Sequence, residues 1–250
     1  MIKLSHEGPV AHLVLDRPEV RNALAMRHWE ALAATLAQVG ESDARLLVLS
    51  GAGSAFSAGA DLTEFAELQA DPAARTRFRL AMRGACEALA QLPIATLAWI
   101  DGPCFGAGVA LAIAADLRAA APAASFAITP AKMGIGYPQE DVARLVGLVG
   151  PGWAARMLFT GAAVDAATAE RIGLVEAVVD RPGCEALVEA ILACDPGSIA
   201  MLKRGIGLAA RGIAADEGQD SSFEALFGSP VLAERLSRRR ASRPLPPPGA

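Results

Sequence analysis

The sequence predicts an α/β protein, with a core over residues 1–195 and a helical C-terminal region over 196–250. Three observations predict this. Short apolar runs alternate with segments of helical periodicity in the first part of the chain. Two of those runs, Leu46 to Leu49 and Ile94 to Ile100, lead into loops of small residues that open the next helix. From Pro151 onward nearly every segment has helical spacing.

Taken in order, Ile2 to Val14 alternates around Glu7-Gly8 and reads as a hairpin ending at Asp16-Arg17-Pro18. Trp29, Leu32, Leu36 and Val39 place one apolar face on a helix from Arg27 to Gly40. Leu46 to Leu49 is a buried strand ended by the turn Gly51-Ala52-Gly53, and a long helix follows over Pro72 to Gln91. Ile94 to Ile100 is a second buried strand, and Gly106 to Ala115 a buried helix of small residues. Beyond Pro151, helices are expected near Trp153–Phe159, Ala166–Ile172, Glu185–Ala193, Ile199–Ala210 and Phe223–Leu236, with one strand over Leu174 to Val179. The tail from Arg238, rich in Arg and Pro, is expected to be extended.

Composition narrows the function classes. A 53% hydrophobic content fits a packed core and not a disordered chain. The net charge of −4 provides no electrostatic footprint for nucleic acid. No apolar run approaches the roughly 20 residues that cross a bilayer. The N-terminal stretch does not read as a signal peptide, and a cytoplasmic location is expected. Cys86, Cys104, Cys184 and Cys194 form no CxxC pair and lie near no histidine at metal-ligand spacing, so free thiols are expected and no metal site.

Two loops carry the chemistry. Gly51 to Leu62 (GAGSAFSAGADL) joins a strand to a helix, and so does Gly102 to Gly108 (GPCFGAG). Loops of this kind expose backbone N–H groups at the positive end of a helix and can hold an anion or a developing oxyanion. Each is also compatible with nothing more than close packing of helix on strand. Together they say more, because an oxyanion hole needs two donors converging on one oxygen. The dinucleotide fingerprint is a poor match, since Phe56 stands where GxGxxG requires glycine. The histidines, His6, His12 and His28, all precede the loops, which argues against Ser57 as the nucleophile of a Ser-His-Asp triad.

Leu15-Asp16-Arg17-Pro18-Glu19-Val20-Arg21-Asn22-Ala23-Leu24, Phe56 to Leu62, Gly102 to Asp116, Leu158 to Gly161 and Ala166 to Val179 follow one another in an order that resembles the enoyl-CoA hydratase/isomerase (crotonase) family. The resemblance covers nearly the whole chain. It implies a crotonase-like ββα superhelix core with C-terminal helices for trimerisation, as homotrimers or hexamers. It implies an acyl-CoA substrate, with coenzyme A as part of that substrate and no separate bound cofactor. By position, the oxyanion donors would be the N–H groups of Ala60 and Ala107. Arg21 and Ala23 would line the path of the CoA phosphates and pantetheine, and Ala58, Asp61 and Leu62 would surround the adenine.

The chain departs from the family at the acid–base positions. Ala110 and Pro130 stand where hydratases carry two glutamates, and neither can move a proton. Glu140 and Asp141 are candidate replacements if they border the acyl pocket; equally, they suit the first turn of a helix beginning near Pro138. Tyr137 is a candidate proton donor or pocket wall. Thr129 and Tyr137 are spaced as in the family's methylmalonyl-CoA decarboxylase branch, which makes decarboxylation an alternative to hydration or isomerisation. A non-catalytic CoA-binding or assembly subunit is the other alternative.

Overall fold

A computed structural model of the chain describes residues 1–241. The chain divides into two compact units, Met1–Cys194 and Asp195 onward. In the first unit the strands are β1 (Ile2–Glu7), β2 (Val10–Leu15), β3 (Leu46–Gly51), β4 (Ala95–Ile100), β5 (Pro103–Phe105), β6 (Leu117–Ala120), β7 (Ser125–Ala127), β8 (Val164–Asp165) and β9 (Ala177–Val178). The helices are α1 (Met26–Gly40), α2 (Phe65–Ala70), α3 (Pro72–Ala90), α4 (Ala107–Ala112), α5 (Gln139–Thr160), α6 (Ala166–Arg171) and α7 (Arg181–Leu192). The second unit holds α8 (Pro196–Ala209), α9 (Glu217–Phe227) and α10 (Pro230–Ala241).

A six-stranded sheet runs in the order β1-β2-β3-β4-β6-β9. Only β1 is antiparallel to its neighbour, joined to β2 by a two-residue turn with Gly8 at φ +55°. The other pairs are parallel, and β4 is buried along its whole length, as a parallel strand covered on both faces must be. A second sheet, β5-β7-β8, lies beside it. Trp29, Leu32 and Leu36 of α1 and Met82, Ala85 and Leu89 of α3 cover the sheet and close the core with Leu13, Leu47 and Leu49. In the parallel register Leu15 lies opposite Gly51, and Leu49 opposite Ala98. The loops leaving β2, β3 and β4 therefore start from one edge, where ligands bind in open α/β sheets.

Several boundaries differ from the sequence reading. The helix expected over Gly106 to Ala115 ends at Ala112 and gives way to turns before β6. The strand expected over Leu174 to Val179 pairs only at Ala177–Val178, because Leu174 and Val175 point into the core from a turn. Trp153 to Phe159 is the second half of α5, broken at Gly150 with φ +73° just before Pro151. Phe223 to Leu236 is two helices, since Pro230 cannot continue the hydrogen bonding of α9. Of the tail expected to be extended, Arg238 to Ala241 are helical, and the remainder lies outside the described residues. No helix among the described residues is long and apolar enough to cross a membrane.

In the second unit α8 and α9 are tied by the Arg204–Asp216 ion pair at 2.7 Å and by Gln219 donating to the Met201 carbonyl at 2.8 Å. Leu202, Ile206, Phe223 and Phe227 of this unit remain exposed.

Candidate active site

Three loops are stitched together at the edge of the sheet. In the first, Asn22 is buried with φ +56°, a left-handed conformation that asparagine tolerates better than most residues. Its side-chain amide donates to the carbonyls of Ala52 and Ala55 at 2.9 and 2.8 Å, and its carbonyl side-chain oxygen accepts from the Arg17 N–H at 2.8 Å. The buried Ser57 hydroxyl donates to the Asn22 carbonyl at 2.8 Å and accepts from the Gly59 N–H at 3.1 Å. Ser57 is thus a staple of the loop. The second loop joins the third through Ser57 N–H to the Pro103 carbonyl and Phe105 N–H to the Ser57 carbonyl, at 3.2 and 2.8 Å.

The contact between the second and third loops excludes side chains. A Cβ on Gly59, which sits at φ +95°, would lie 2.6 Å from the Phe105 carbonyl oxygen and 3.0 Å from the Ala107 nitrogen. A Cβ on Gly108 would lie 2.9 Å from both the Ser57 Cβ and its carbonyl oxygen. Glycine is required here by close approach of backbone to backbone. The result is that the peptide entering Ala60 and the peptide entering Ala107 are neighbours in space. Among the described residues neither the Ala60 nor the Ala107 N–H has a hydrogen-bond acceptor. Ala107 is the first residue of α4, where the N–H groups of a helix have no partner within the helix.

Both residues line one cavity of about 420 Å³. Its wall is mostly apolar. Val20, Ala23, Ala58, Leu62 and Phe65 form one part, Phe78 and Met82 of α3 another, and Pro130, Met133, Ile135, Tyr137 and Pro138 a third. Thr129 and Tyr137 supply hydroxyl groups, and among the described residues Arg79 is the one charged side chain in the wall. The Tyr137 hydroxyl donates to the Gly106 carbonyl at 3.0 Å, and burial holds its pKa well above the ordinary phenol value. It is a neutral donor.

Residues 5–197 match the model of the enoyl-CoA hydratase/isomerase family. The chain belongs to the enoyl-CoA hydratase/isomerase family. An enoyl-CoA isomerase/hydratase of Mycosarcoma maydis, fer4, is 33% identical over 217 residues, covering 80% of this chain and 78% of its own. A Mycobacterium tuberculosis protein, echA6, named as a probable enoyl-CoA hydratase, is 31% identical over 244 residues and spans 98% of both chains. Among solved structures, a family protein from Hyphomonas neptunium superposes with a TM-score of 0.91 at 33% identity, over 98% of this chain and 96% of that one. An enoyl-CoA hydratase/carnithine racemase from Magnetospirillum magneticum gives 0.90 at 30% identity, over 97% and 93%.

Within this family frame, the candidate residues from the sequence fall into three groups. Ala60 and Ala107 come together in the cavity wall, with Ala23, Ala58 and Leu62. Arg21 and Asp61 lie outside the wall. Arg21 is exposed at φ +51° with its carbonyl accepting from the Ala58 N–H, so it serves the loop through its backbone. Asp61 is buried against Arg17 at 3.0 Å and the Thr63 hydroxyl at 2.7 Å; those hydrogen bonds, Thr63 first, hold its pKa below the ordinary value. The third group is Glu140 and Asp141, which do not line the cavity. They occupy the first turn of α5; Glu140 pairs with Arg83 at 3.0 Å, and Asp141 is buried against Arg144 at 3.3 Å. Burial pushes the Asp141 pKa up to about 6, yet no part of this carboxylate lines the cavity. Ala110 is fully buried in α4 behind the wall, and Pro130 is part of the wall. Sequence reading missed Asn22, Phe78, Arg79 and Met82. A left-handed asparagine cannot be recognised without backbone angles, and nothing in the helical pattern of α3 says which face meets the loops.

Proposed function

We propose that this chain binds an acyl-CoA thioester in the cavity and holds the thioester oxygen between the N–H groups of Ala60 and Ala107. Two backbone donors without acceptors, on adjacent loops and facing one apolar cavity, are the observation that carries this reading. As the α-carbon gains electrons, charge moves onto the thioester oxygen, and preorganised amides in a water-poor site stabilise that enolate more than the ground-state carbonyl. Ala23, Ala58 and Leu62 support a path for the pantetheine and adenine, with Arg21 and Asp61 beside it. The names of the relatives support the substrate class. The free thiols support a cytoplasmic enzyme, and the exposed apolar residues of α8 and α9 support self-association as a homotrimer or hexamer, to be measured by light scattering.

Replacing Ala60 by proline removes one donor. Turnover of an acyl-CoA should fall on the order of 10²–10³-fold in a variant that unfolds at the wild-type temperature. As a check independent of that variant, the carbonyl stretch of a thioester bound to the wild type should shift to lower frequency than in water. An unshifted stretch would remove the oxyanion hole.

A second reading has its own support. Among the described residues no carboxylate lines the cavity, so proton transfer by a carboxylate is not served there. Decarboxylation of a malonyl-type thioester makes the same enolate without a base: the C–C bond breaks, its electron pair passes to the thioester oxygen, CO₂ leaves, and the α-carbon takes a proton from water. Thr129 and Tyr137 sit in the wall where this substrate would lie. Release of CO₂ from malonyl-type thioesters, with no hydration of enoyl-CoA, would select this reading. Tight acyl-CoA binding without turnover of any thioester would select a non-catalytic binding subunit instead.

A further inference from the structure

On α3, the residues at positions 75, 79, 83 and 87 repeat every four residues and so form one stripe along the helix. Three of them are held. Arg75 donates to the carbonyls of Leu68 and Gln69 at the end of α2, at 3.0 and 2.8 Å. Arg83 pairs with Glu140 at 3.0 Å, and Glu87 with Arg144 at 2.5 Å. Arg79, between them, has no carboxylate or carbonyl partner among the described residues, and it stands in the cavity wall next to Phe78 and Met82. It is the one charged group in that wall among the described residues. The nearest turn of α5 offers it no counter-charge, because Glu140 is engaged by Arg83 and Asp141 by Arg144.

We propose that Arg79 recognises an acidic group carried by the ligand, so that this cavity takes thioesters with an anionic end, foremost a carboxylate on the acyl chain. The inference rests on the acyl-CoA reading above and names the substrate class within it. The physical case is complementarity. A guanidinium at the edge of an apolar cavity forms short, charge-assisted and often bidentate hydrogen bonds with a carboxylate or phosphate, and a neutral acyl tail gives it nothing to bind. Its exposed side keeps the free cation hydrated before the ligand arrives, so no buried unpaired charge is required.

Two sources of the anion share this chemistry, the acyl tail and the phosphates of the coenzyme, and binding distinguishes them. Dissociation constants would be measured by calorimetry for succinyl-, glutaryl- and adipyl-CoA, for the neutral butyryl-, valeryl- and hexanoyl-CoA, and for acyl-pantetheine thioesters without phosphates. The wild type should favour one acidic chain over its neutral counterpart by about tenfold, and Arg79→Met should erase the preference by weakening the acidic ligands alone. If Arg79→Met instead weakens acidic and neutral CoA thioesters equally and leaves the pantetheine thioesters unchanged, the anion is a coenzyme phosphate. If it changes no dissociation constant, Arg79 is not a ligand-binding residue and the inference falls. Binding of neutral thioesters by the wild type tests the underlying reading separately. A chain that binds no CoA thioester overturns both, and one that binds neutral thioesters without an Arg79 effect overturns only this inference.

Discussion

The Tyr137 hydroxyl and the Gly106 carbonyl meet at 3.0 Å, and that carbonyl belongs to the same peptide group as the Ala107 N–H. A peptide is planar, with its C=O and N–H pointing in opposite directions. Fixing the oxygen on one side therefore fixes the N–H on the other, which faces the cavity. The Gly106 oxygen also accepts from Val109 at 3.0 Å, as the first turn of α4 requires. A hydrogen bond to the carbonyl further polarises the amide and makes its N–H a better donor. Tyr137 is thus a positioning residue for the proposed oxyanion hole, and its raised pKa keeps the phenol in the donating form.

Tyr137→Phe keeps the wall and removes the donor. Stability should fall by only about 1 kcal/mol, because the Gly106 oxygen retains its helix partners. Turnover should fall roughly tenfold with thioester affinity unchanged, since a small loss of donor strength matters most when the oxygen is charged. The carbonyl stretch of the bound thioester should move back toward its value in water. An unchanged stretch and rate would show that the contact only packs the wall.

The tight contact between loops makes a steric prediction. Gly108→Ala forces a methyl to within 2.9 Å of the Ser57 Cβ and of its backbone carbonyl oxygen, and the carbonyl has little room to yield. A loss on the order of 1–3 kcal/mol in unfolding free energy is expected, together with most of the turnover, as the loops part. Gly84→Ala is the control. It lies inside α3 with nothing within 4 Å, and should raise stability by about 0.5–1 kcal/mol without touching turnover. Equal effects from the two substitutions would refute the role assigned to the contact.

Much of this arrangement is legible in the sequence because it is written in local pattern. The apolar runs of β3 and β4 and the small-residue loops behind them need no distant partner to be recognised. The same holds for the 3.6-residue spacing in α1 and α3. The two-residue pairing of β9 and the short strands β5, β7 and β8 have too few residues to show a period, and they exist through neighbours far along the chain. The placement of Glu140 and Asp141 is of this second kind. Sequence order puts them after Tyr137, which does line the cavity. The ion pairs that turn them away, with Arg83 of α3 and with Arg144 one helical turn on, depend on how α3 and α5 pack.

Asp141 yields a prediction about acid. Its pKa rises from 3.8 to about 6, burial being the main cause. Between those values the native carboxyl keeps a proton that the unfolded one has released, so unfolding free energy increases as pH falls through the window. The contribution is complete below about pH 4 and lost as pH rises through about 6, with an upper bound of roughly 3 kcal/mol. Asp141→Asn removes this dependence. In urea unfolding, wild type should therefore gain on the variant between pH 7 and 4.5. A wild type that instead loses ground to the variant would mean that the Arg144 ion pair outweighs burial. Turnover at neutral pH should stay within a few-fold, as expected of a carboxylate outside the cavity.

His28 works in the opposite sense. It is buried in the first turn of α1, where Nδ1 accepts the Ala25 N–H at 3.1 Å. Burial, then the charges of Arg17 and Arg27, lowers its pKa from 6.5 to about 4. The unfolded imidazole takes a proton at a pH where the native one stays neutral, so its contribution is present above about pH 6.5 and lost as pH falls through about 4. Because Ala25 leads directly from Leu24, which is bridged to the Gly59–Asp61 segment, protonation would break the cap next to the candidate site. The imidazole carbon resonances of His28 should report a neutral ring down to about pH 4. A variant His28→Asn, neutral at every pH and still able to cap, should lose less stability than wild type between pH 6.5 and 4. Equal acid sensitivity in the two proteins would assign the loss to other groups.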